Sequence, residues 1–154
     1  MPRRQIQRTR DGSYRLRLSP PERELMRALP DELEQLLDTP ENPDLWRLFP
    51  AASEDAKTQD EYSRLIGGEL LDGRRRALAT IRATVGRDSL TAEDAESWLT
   101  GLNALRLVLG TRLDVSEEEP LLLNQSDARA YETAVYLYLS SLQEQLVDEM
   151  SRAL

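Results

Sequence analysis

Three polar side chains in one leucine-rich segment are the residues of this chain best suited to bind a charged group. Asn103, Arg106 and Arg112 lie within residues 91–115, TAEDAESWLTGLNALRLVLGTRLDV. The leucines around Arg106 recur at three- and four-residue spacing, so this arginine is expected beside an apolar helix face. A guanidinium in that position needs pairing and hydrogen bonds, because an unpaired buried charge costs on the order of several kcal/mol.

Two interpretations of this set are open. In the first, Arg106 is a structural tie between helices and pairs with a carboxylate, for which Glu61, Glu69 and Glu132 are candidates. In the second, the three polar side chains form a pocket for an anion or for a carboxylate of a partner protein. A guanidinium suits this role because it can hold a carboxylate through two parallel hydrogen bonds. The structural tie is the simpler interpretation.

A second group of candidate residues is basic and suits contact with nucleic acid or an acidic partner. It comprises Arg3, Arg4, Arg8, Arg10, Arg15, Arg17 and the run Arg74, Arg75 and Arg76. Six of these arginines stand against one aspartate in the first 17 residues, which carry a formal net charge of +5 in a chain of total charge −8. The alternative is that alternating arginines keep an exposed strand soluble. The acidic total also argues against strong non-specific DNA binding.

The composition excludes several classes of chemistry. The 154 residues contain no cysteine and no histidine. Disulfides, thiolate catalysis, cysteine- or histidine-ligated metal sites and a histidine general base are therefore excluded. The sequence also lacks a phosphate-binding loop, a dinucleotide fingerprint and a nucleophile elbow. We expect a protein that is not an enzyme and that holds neither a metal nor a cofactor.

An N-terminal β-hairpin is predicted over residues 1–18. Asp11-Gly12 is typical of a tight turn with positive φ, and Tyr14, Leu16 and Leu18 alternate with arginines so that they share one face. A single hairpin is only marginally stable, so this apolar face must pack on the helices that follow.

The rest of the chain is predicted to be helical, with 86–90 as a loop. Ser19 and Glu22 form a capping-box pattern, and Pro30 is expected to interrupt or restart the helix that begins there. Thr91 caps the central helix. Apolar spacing predicts further helices over 55–85 and 126–152. The apolar face predicted for the last helix consists of Ala130, Ala134, Leu137, Tyr138, Leu142, Leu146 and Val147.

These elements predict a mainly α fold, a small helical bundle with an N-terminal β-hairpin. We expect a single domain over residues 1–154, in which 1–18 form the hairpin arm and 19–154 the bundle. No apolar run approaches the roughly 20 residues that cross a bilayer, and no apolar segment follows the N-terminal arginines as in a secretory signal. We therefore expect a cytoplasmic protein without membrane contact. Tyr136 and Tyr138 cannot share one helix face, which hints at a homo-oligomer.

Four segments, in this order, resemble the actinobacterial domain-of-unknown-function family 2017: RLRLSPPERELMRAL after the hairpin, NPDLWRLFPAASEDAKTQDEYSRL, SWLTGLNALRLVLGTRLDV and YLYLSSLQEQLV. The third is the most specific, through Trp98-Leu99, Leu102-Asn103, Arg106-Leu107 and the run 109–113. Members of the family place an aspartate after the asparagine, whereas this chain has Ala104. A role of that carboxylate therefore does not transfer.

The resemblance implies a role in transcription regulation. One described member of the family senses oxidants through closely spaced cysteines and acts through an alternative sigma factor; without cysteine, that sensing mechanism cannot carry over. We expect a non-enzymatic regulatory protein whose helical face binds a protein partner, an adaptor within the transcription machinery. The alternative is a regulator that contacts DNA through its arginine-rich hairpin.

Overall fold

A computed structural model describes residues 4–38, 42, 45, 71–113 and 129–152. The elements within these residues, in chain order, are β1 (Ile6–Arg8), β2 (Tyr14–Leu16), α1 (Pro20–Leu37), the described part of α2 (71–84), β3 (Ser89–Leu90), α3 (Ala92–Arg112) and α4 (Ala130–Ser151). The predicted class is confirmed: the fold is mainly α with an N-terminal hairpin. Residues 55–70 of the predicted second helix and 126–128 of the predicted last helix lie outside the described residues.

The hairpin forms as its sequence predicts, but a third strand joins it. Gly12 has a φ of 87°, the left-handed conformation that the turn requires and that glycine adopts without strain. β1 and β2 pair antiparallel, and β3 pairs antiparallel with the other edge of β2. The prediction that 86–90 is only a loop was therefore wrong. A strand of two residues is too short to show an alternating pattern, so only its pairing partner reveals it.

The capping box predicted for α1 is present, whereas the predicted break at Pro30 is not. The Ser19 hydroxyl accepts from the Glu22 backbone N–H, and the Glu22 carboxylate accepts from the Ser19 N–H. The helix continues through Pro30, which is itself buried in line with Met26 and Leu33. Proline removes one helical hydrogen bond, and burial of this apolar stripe offsets that loss.

Arginines join α1 to its neighbours. Arg82 of α2 pairs with Asp31 at 3.2 Å and with Glu34. The Arg23 guanidinium makes four hydrogen bonds: to the carbonyls of Leu18 (3.1 Å), Val85 (2.6 Å) and Arg87 (3.0 Å) and to the Asp88 carboxylate (3.2 Å). Arg23 thus satisfies carbonyl groups at the end of α2 and at the exit of β2, where the backbone has no helix or strand partner.

The helices α2 and α3 cross closely at a glycine. A Cβ added at Gly101 would lie 2.5 Å from the Cδ1 of Ile81, well inside contact distance. Beside this crossing, the indole N–H of the buried Trp98 donates to the Thr84 hydroxyl at 2.8 Å. The hydroxyl in turn donates to the backbone of its own helix. The crossing is therefore fixed by packing and by one buried polar contact.

The helix α4 is fixed to the hairpin by amide and phenol groups. The side-chain oxygen of Gln145 accepts from the backbone N–H groups of Gln5 (2.9 Å) and Ile6 (3.3 Å), and its NH₂ donates to the Gln5 side chain at 2.7 Å. The Tyr138 hydroxyl donates to the Glu22 carboxylate at 2.6 Å. Gln145 thereby satisfies donors at the edge of β1 that no strand pairs.

Replacing Gly101 with alanine tests the helix crossing. We expect Gly101→Ala to lower the free energy of unfolding by about 1–3 kcal/mol, because the new methyl group displaces the fully buried Ile81 side chain. Gly73→Ala is the matched control, since the nearest atom to its added Cβ lies 4.0 Å away. This change should stabilise the helix by about 0.5–1 kcal/mol. Urea unfolding followed by circular dichroism measures both; equal stability of the two variants would refute the close crossing.

Replacing Tyr138 with phenylalanine tests the tie between α1 and α4. Burial raises the pKa of Glu22, but hydrogen bonds from Tyr138, Ser19 and Gln5 outweigh it and lower the pKa below its ordinary value of 4.5. The resulting stabilisation is present above pH 4.5 and is lost as the pH falls through the lowered pKa. Tyr138→Phe should therefore lower the melting temperature most near neutral pH, and the difference from the unmodified chain should narrow in acid. Tyr131→Phe, at an exposed tyrosine, should change nothing; a pH-independent difference for Tyr138→Phe would contradict this account.

Candidate functional site

The helix α3 places Asn103 and Arg106 on the side that faces α4. Both side chains are half-buried, while the leucines between and around them point into the core. The Asn103 side-chain oxygen accepts from the NH₂ of Gln143, on α4, at 3.3 Å. This contact sets the register of the two helices at the position of Arg106.

Arg106 lines an open groove between α3 and α4, of about 500 Å³, which we call the α3–α4 groove. Its other lining residues are Ser140, Gln143, Glu144, Val147, Asp148 and Ser151. Four of them follow one another at three- and four-residue intervals and so form a single stripe along α4. The groove therefore runs parallel to the helix pair and has the shape that suits an elongated ligand.

Three buried polar atoms in this groove lack hydrogen-bond partners. They are the Nε of Arg106, the Oγ of Ser140 and the Oε1 of Gln143. More than about 90% of buried polar groups in proteins are satisfied, and each orphaned group costs about 1–3 kcal/mol. Three such atoms on residues that line one groove indicate that this groove can form hydrogen bonds that the folded chain itself does not make.

Arg106 has no ion pair or hydrogen bond with the part of the chain that the structure describes. Glu132, one of its three predicted partners, lies on α4 but does not pair with it, and the other two, Glu61 and Glu69, lie outside the described residues. Asp148 lines the same groove but pairs instead with Arg4 (2.5 Å) and Arg152 (3.5 Å). Glu144 also lines the groove, but no described carboxylate forms an ion pair with the Arg106 guanidinium.

Arg112 does not join the other two residues of the predicted set. It is exposed at the end of α3, where it lines a small depression against α1 together with Glu32 and Leu36. Its backbone carbonyl accepts from the Arg129 side chain at 2.5 Å. The structure thus brings Asn103 and Arg106 together and places Arg112 on another side of α3.

The solvent-exposed side of α4 carries apolar side chains, of which Val147 lines the groove. Leu137 and Val147 are 37% and 45% exposed, and Ala134 is exposed too, although the sequence analysis assigned all three to the buried face. The core stripe is formed instead by Val135, Leu139, Leu142 and Leu146. Apolar residues occur on two faces of α4, so spacing alone could not tell which face lies inward. The contacts of Gln145 and Tyr138 settle the rotation.

The basic residues divide into structural and exposed members. Arg4 pairs with Asp148, and Arg75 pairs with Asp38 at 2.7 Å, so both connect elements of the fold. Burial lowers the pKa of the half-buried Arg74. The remaining candidates, Arg8, Arg10, Arg15, Arg17 and Arg76, are exposed, while Arg3 lies outside the described residues.

The burial of one acidic residue was not predicted from the sequence. Glu149 of α4 is 2% exposed and lies 3.6 Å from Arg4 and 3.4 Å from Arg152.

Among the described residues, no group of three or more His, Cys, Asp or Glu side chains could hold a metal ion. Within the same residues, no helix is both long and apolar enough to cross a membrane.

Ser140 and Gln143 were also missed. A polar residue on a mostly apolar helix gives a signal only when its partner on another helix is known. That information depends on the register of α3 against α4, which Asn103 and Gln143 set in the folded chain. Their spacing of three residues is the one local sign that they share a face.

Comparison with known proteins identifies the family. Residues 3–150 match the family model described as Domain of unknown function (DUF2017). The chain is 29% identical, over an alignment of 181 residues, to the oxidative stress regulator AosR of Mycobacterium tuberculosis, covering 90% of this chain and 83% of that protein. It is 33% identical over 128 residues to the putative oxidative stress regulator AosR of Mycobacterium leprae, covering 80% of this chain and 56% of that protein. No solved structure matches the chain. The resemblance seen in the sequence is thus confirmed, and this chain belongs to the DUF2017 family.

Proposed function

We propose that this chain is a regulatory protein that acts by binding another polypeptide in the α3–α4 groove and that it catalyses no reaction. The names of its relatives, oxidative stress regulators, support the regulatory part. The observation that carries the binding part is Arg106, whose guanidinium lacks a partner in the described residues and adjoins the orphaned atoms of Ser140 and Gln143.

The three orphaned atoms favour a polypeptide over a simple anion. The Arg106 guanidinium can only donate hydrogen bonds, the Gln143 carbonyl oxygen can only accept them, and the Ser140 hydroxyl can do both. A small anion would satisfy Arg106 but has no donor for Gln143. A peptide backbone carries both N–H and C=O groups and serves all three. Since the atoms are buried before binding, docking includes a rearrangement of side chains that exposes them.

The borders of the groove define the partner further. Val147 in its lining offers apolar surface, as does the exposed Leu137 further along α4, and Arg106 offers a guanidinium that forms no ion pair with a described residue. A complementary segment therefore carries an acidic side chain next to apolar ones, in the manner of a helix or strand laid along a groove. The family resemblance favours a partner in the transcription machinery.

Replacing Arg106 with methionine distinguishes binding from a structural role. Methionine keeps the unbranched aliphatic chain and the helix propensity but removes the charge. The melting temperature of Arg106→Met should be unchanged or higher, because no ion pair among the described residues is lost. Breaking a buried ion pair would instead cost about 3–5 kcal/mol. Arg23→Met is the matched control and should be destabilised by at least about 2 kcal/mol through the loss of its hydrogen bonds. Equal destabilisation of the two variants would show instead that Arg106 is a structural tie between helices.

Selection from a library of random peptides tests the groove directly. The immobilised chain should enrich peptides in which Asp or Glu adjoins apolar residues. These peptides should bind Arg106→Met at least about tenfold more weakly, because a hydrogen bond to a charged group contributes about 1.5–3 kcal/mol. Val147→Asp should weaken binding as well, through charge repulsion at the border of the groove.

Arg76→Met, at an exposed arginine of α2, is the control and should bind like the unmodified chain. Titration by fluorescence anisotropy measures all four proteins. The proposal fails if no peptide is enriched, or if the enriched peptides bind Arg106→Met as tightly as the unmodified chain.

A further inference from the structure

The outer face of the sheet is polar and rich in arginine. Along β2, Tyr14 and Leu16 point into the core, so Arg15 and Arg17 point to solvent. The pairing of the three strands places Gln7 and Ser89 on either side of Arg15. Together with two exposed arginines of the adjoining connections this surface forms what we call the arginine face, which comprises Arg10, Arg15, Arg17 and Arg87.

The charge of the arginine face is not neutralised within the described part of the chain. None of its four arginines forms an ion pair with a described residue, in contrast to Arg4, Arg23, Arg75, Arg82 and Arg152. Of the adjoining acidic groups, Asp88 pairs with Arg23. Asp11 accepts hydrogen bonds from Thr9 and Ser13, which lower its pKa and keep it ionised, and it forms no ion pair with a described arginine.

Two arginines of this face, Arg17 and Arg87, lie just beyond the paired residues of β2 and β3. Arg15 pairs with Ser89, and the backbone N–H of Leu16 donates to the Asp88 carbonyl at 2.8 Å. Extending this antiparallel register by one residue brings Arg17 opposite Arg87, and like charges in such positions repel each other. An anionic ligand would relieve that repulsion.

We propose that the arginine face binds the phosphate backbone of nucleic acid without reading its base sequence. Arg15 of β2 and Arg17, which follows the strand, lie two residues apart in extended chain, a separation of about 7 Å. Guanidinium groups bind phosphates through paired hydrogen bonds. A protein partner would instead require aromatic or apolar anchors at the centre of the interface. The central positions of this face, Gln7, Arg15 and Ser89, offer none.

Because the rest of the molecule is acidic, we expect the affinity of the arginine face for nucleic acid to fall steeply as the salt concentration rises. Each neutralised phosphate contributes about −0.9 to the slope of log K against log salt concentration. Four contacts predict a slope of about −3.6, and thus a loss of affinity of about 100-fold between about 50 and about 200 mM salt. The total charge of −8 opposes approach by any other face of the molecule.

Fluorescence anisotropy of a short labelled DNA duplex, titrated with the whole chain over a series of salt concentrations, tests the proposal. In the double variant Arg15→Gln/Arg17→Gln, the slope of log K against log salt concentration should become shallower by about 1.8, because two phosphate contacts are lost. Both side chains are exposed, so the thermal melt of this variant should match that of the unmodified chain. Arg15→Lys/Arg17→Lys, which keeps the charge, should retain the slope.

Two further proteins keep the test specific. Arg76→Gln removes an exposed arginine of α2 and should leave the salt dependence unchanged. Arg106→Met should also bind DNA normally, so failure of the arginine face and failure of the α3–α4 groove remain distinguishable. The proposal is overturned if the chain does not bind the duplex at about 50 mM salt, or if Arg76→Gln loses as much as the sheet variant. Tighter binding of poly-glutamate than of DNA would overturn it as well, in favour of an acidic protein partner.

Discussion

The contact of Gln145 with the edge of β1 determines how α4 is oriented in this fold. An edge strand leaves backbone donors that must be satisfied, and here one side-chain amide accepts from two of them and bonds to the Gln5 side chain as well. Once Gln145 points to the hairpin, helical geometry turns Tyr138 towards Glu22 and Glu149 towards Arg4. The same rotation carries Ser140 and Val147 to the side of α3. The groove at Arg106 is therefore a consequence of how α4 packs against the edge of the hairpin.

Two half-buried arginines in this chain, Arg23 and Arg106, differ in how completely their hydrogen-bonding groups are satisfied. Arg23 donates four hydrogen bonds, and each of its guanidinium nitrogens has a partner. Arg106 is half-buried too, but its Nε is unpaired and lies near the orphaned atoms of Ser140 and Gln143. These three residues line one groove, where we propose that a ligand binds.

The sequence predicted what depends on neighbours along the chain and missed what depends on neighbours in space. The capping boxes at Ser19 and Thr91 and the turn at Gly12 are local patterns, and all are present. The continuation of α1 through Pro30, the pairing of β3 and the rotation of α4 depend on distant contacts, and the predictions for them were wrong. For the site, Asn103 and Arg106 could be selected as polar residues in an apolar helix. Their partners on α4 could not, because no local pattern gives the register of two helices.

These 154 residues contain no thiol to oxidise, although the relatives of this chain are named oxidative stress regulators. A ligand shifts an equilibrium only by the difference in its affinity for two states. Under the function that we propose, the α3–α4 groove would supply such a difference, because a docked polypeptide would satisfy hydrogen-bonding atoms that lack partners in the free chain. The atoms whose burial destabilises the free chain would then be the ones that make binding selective.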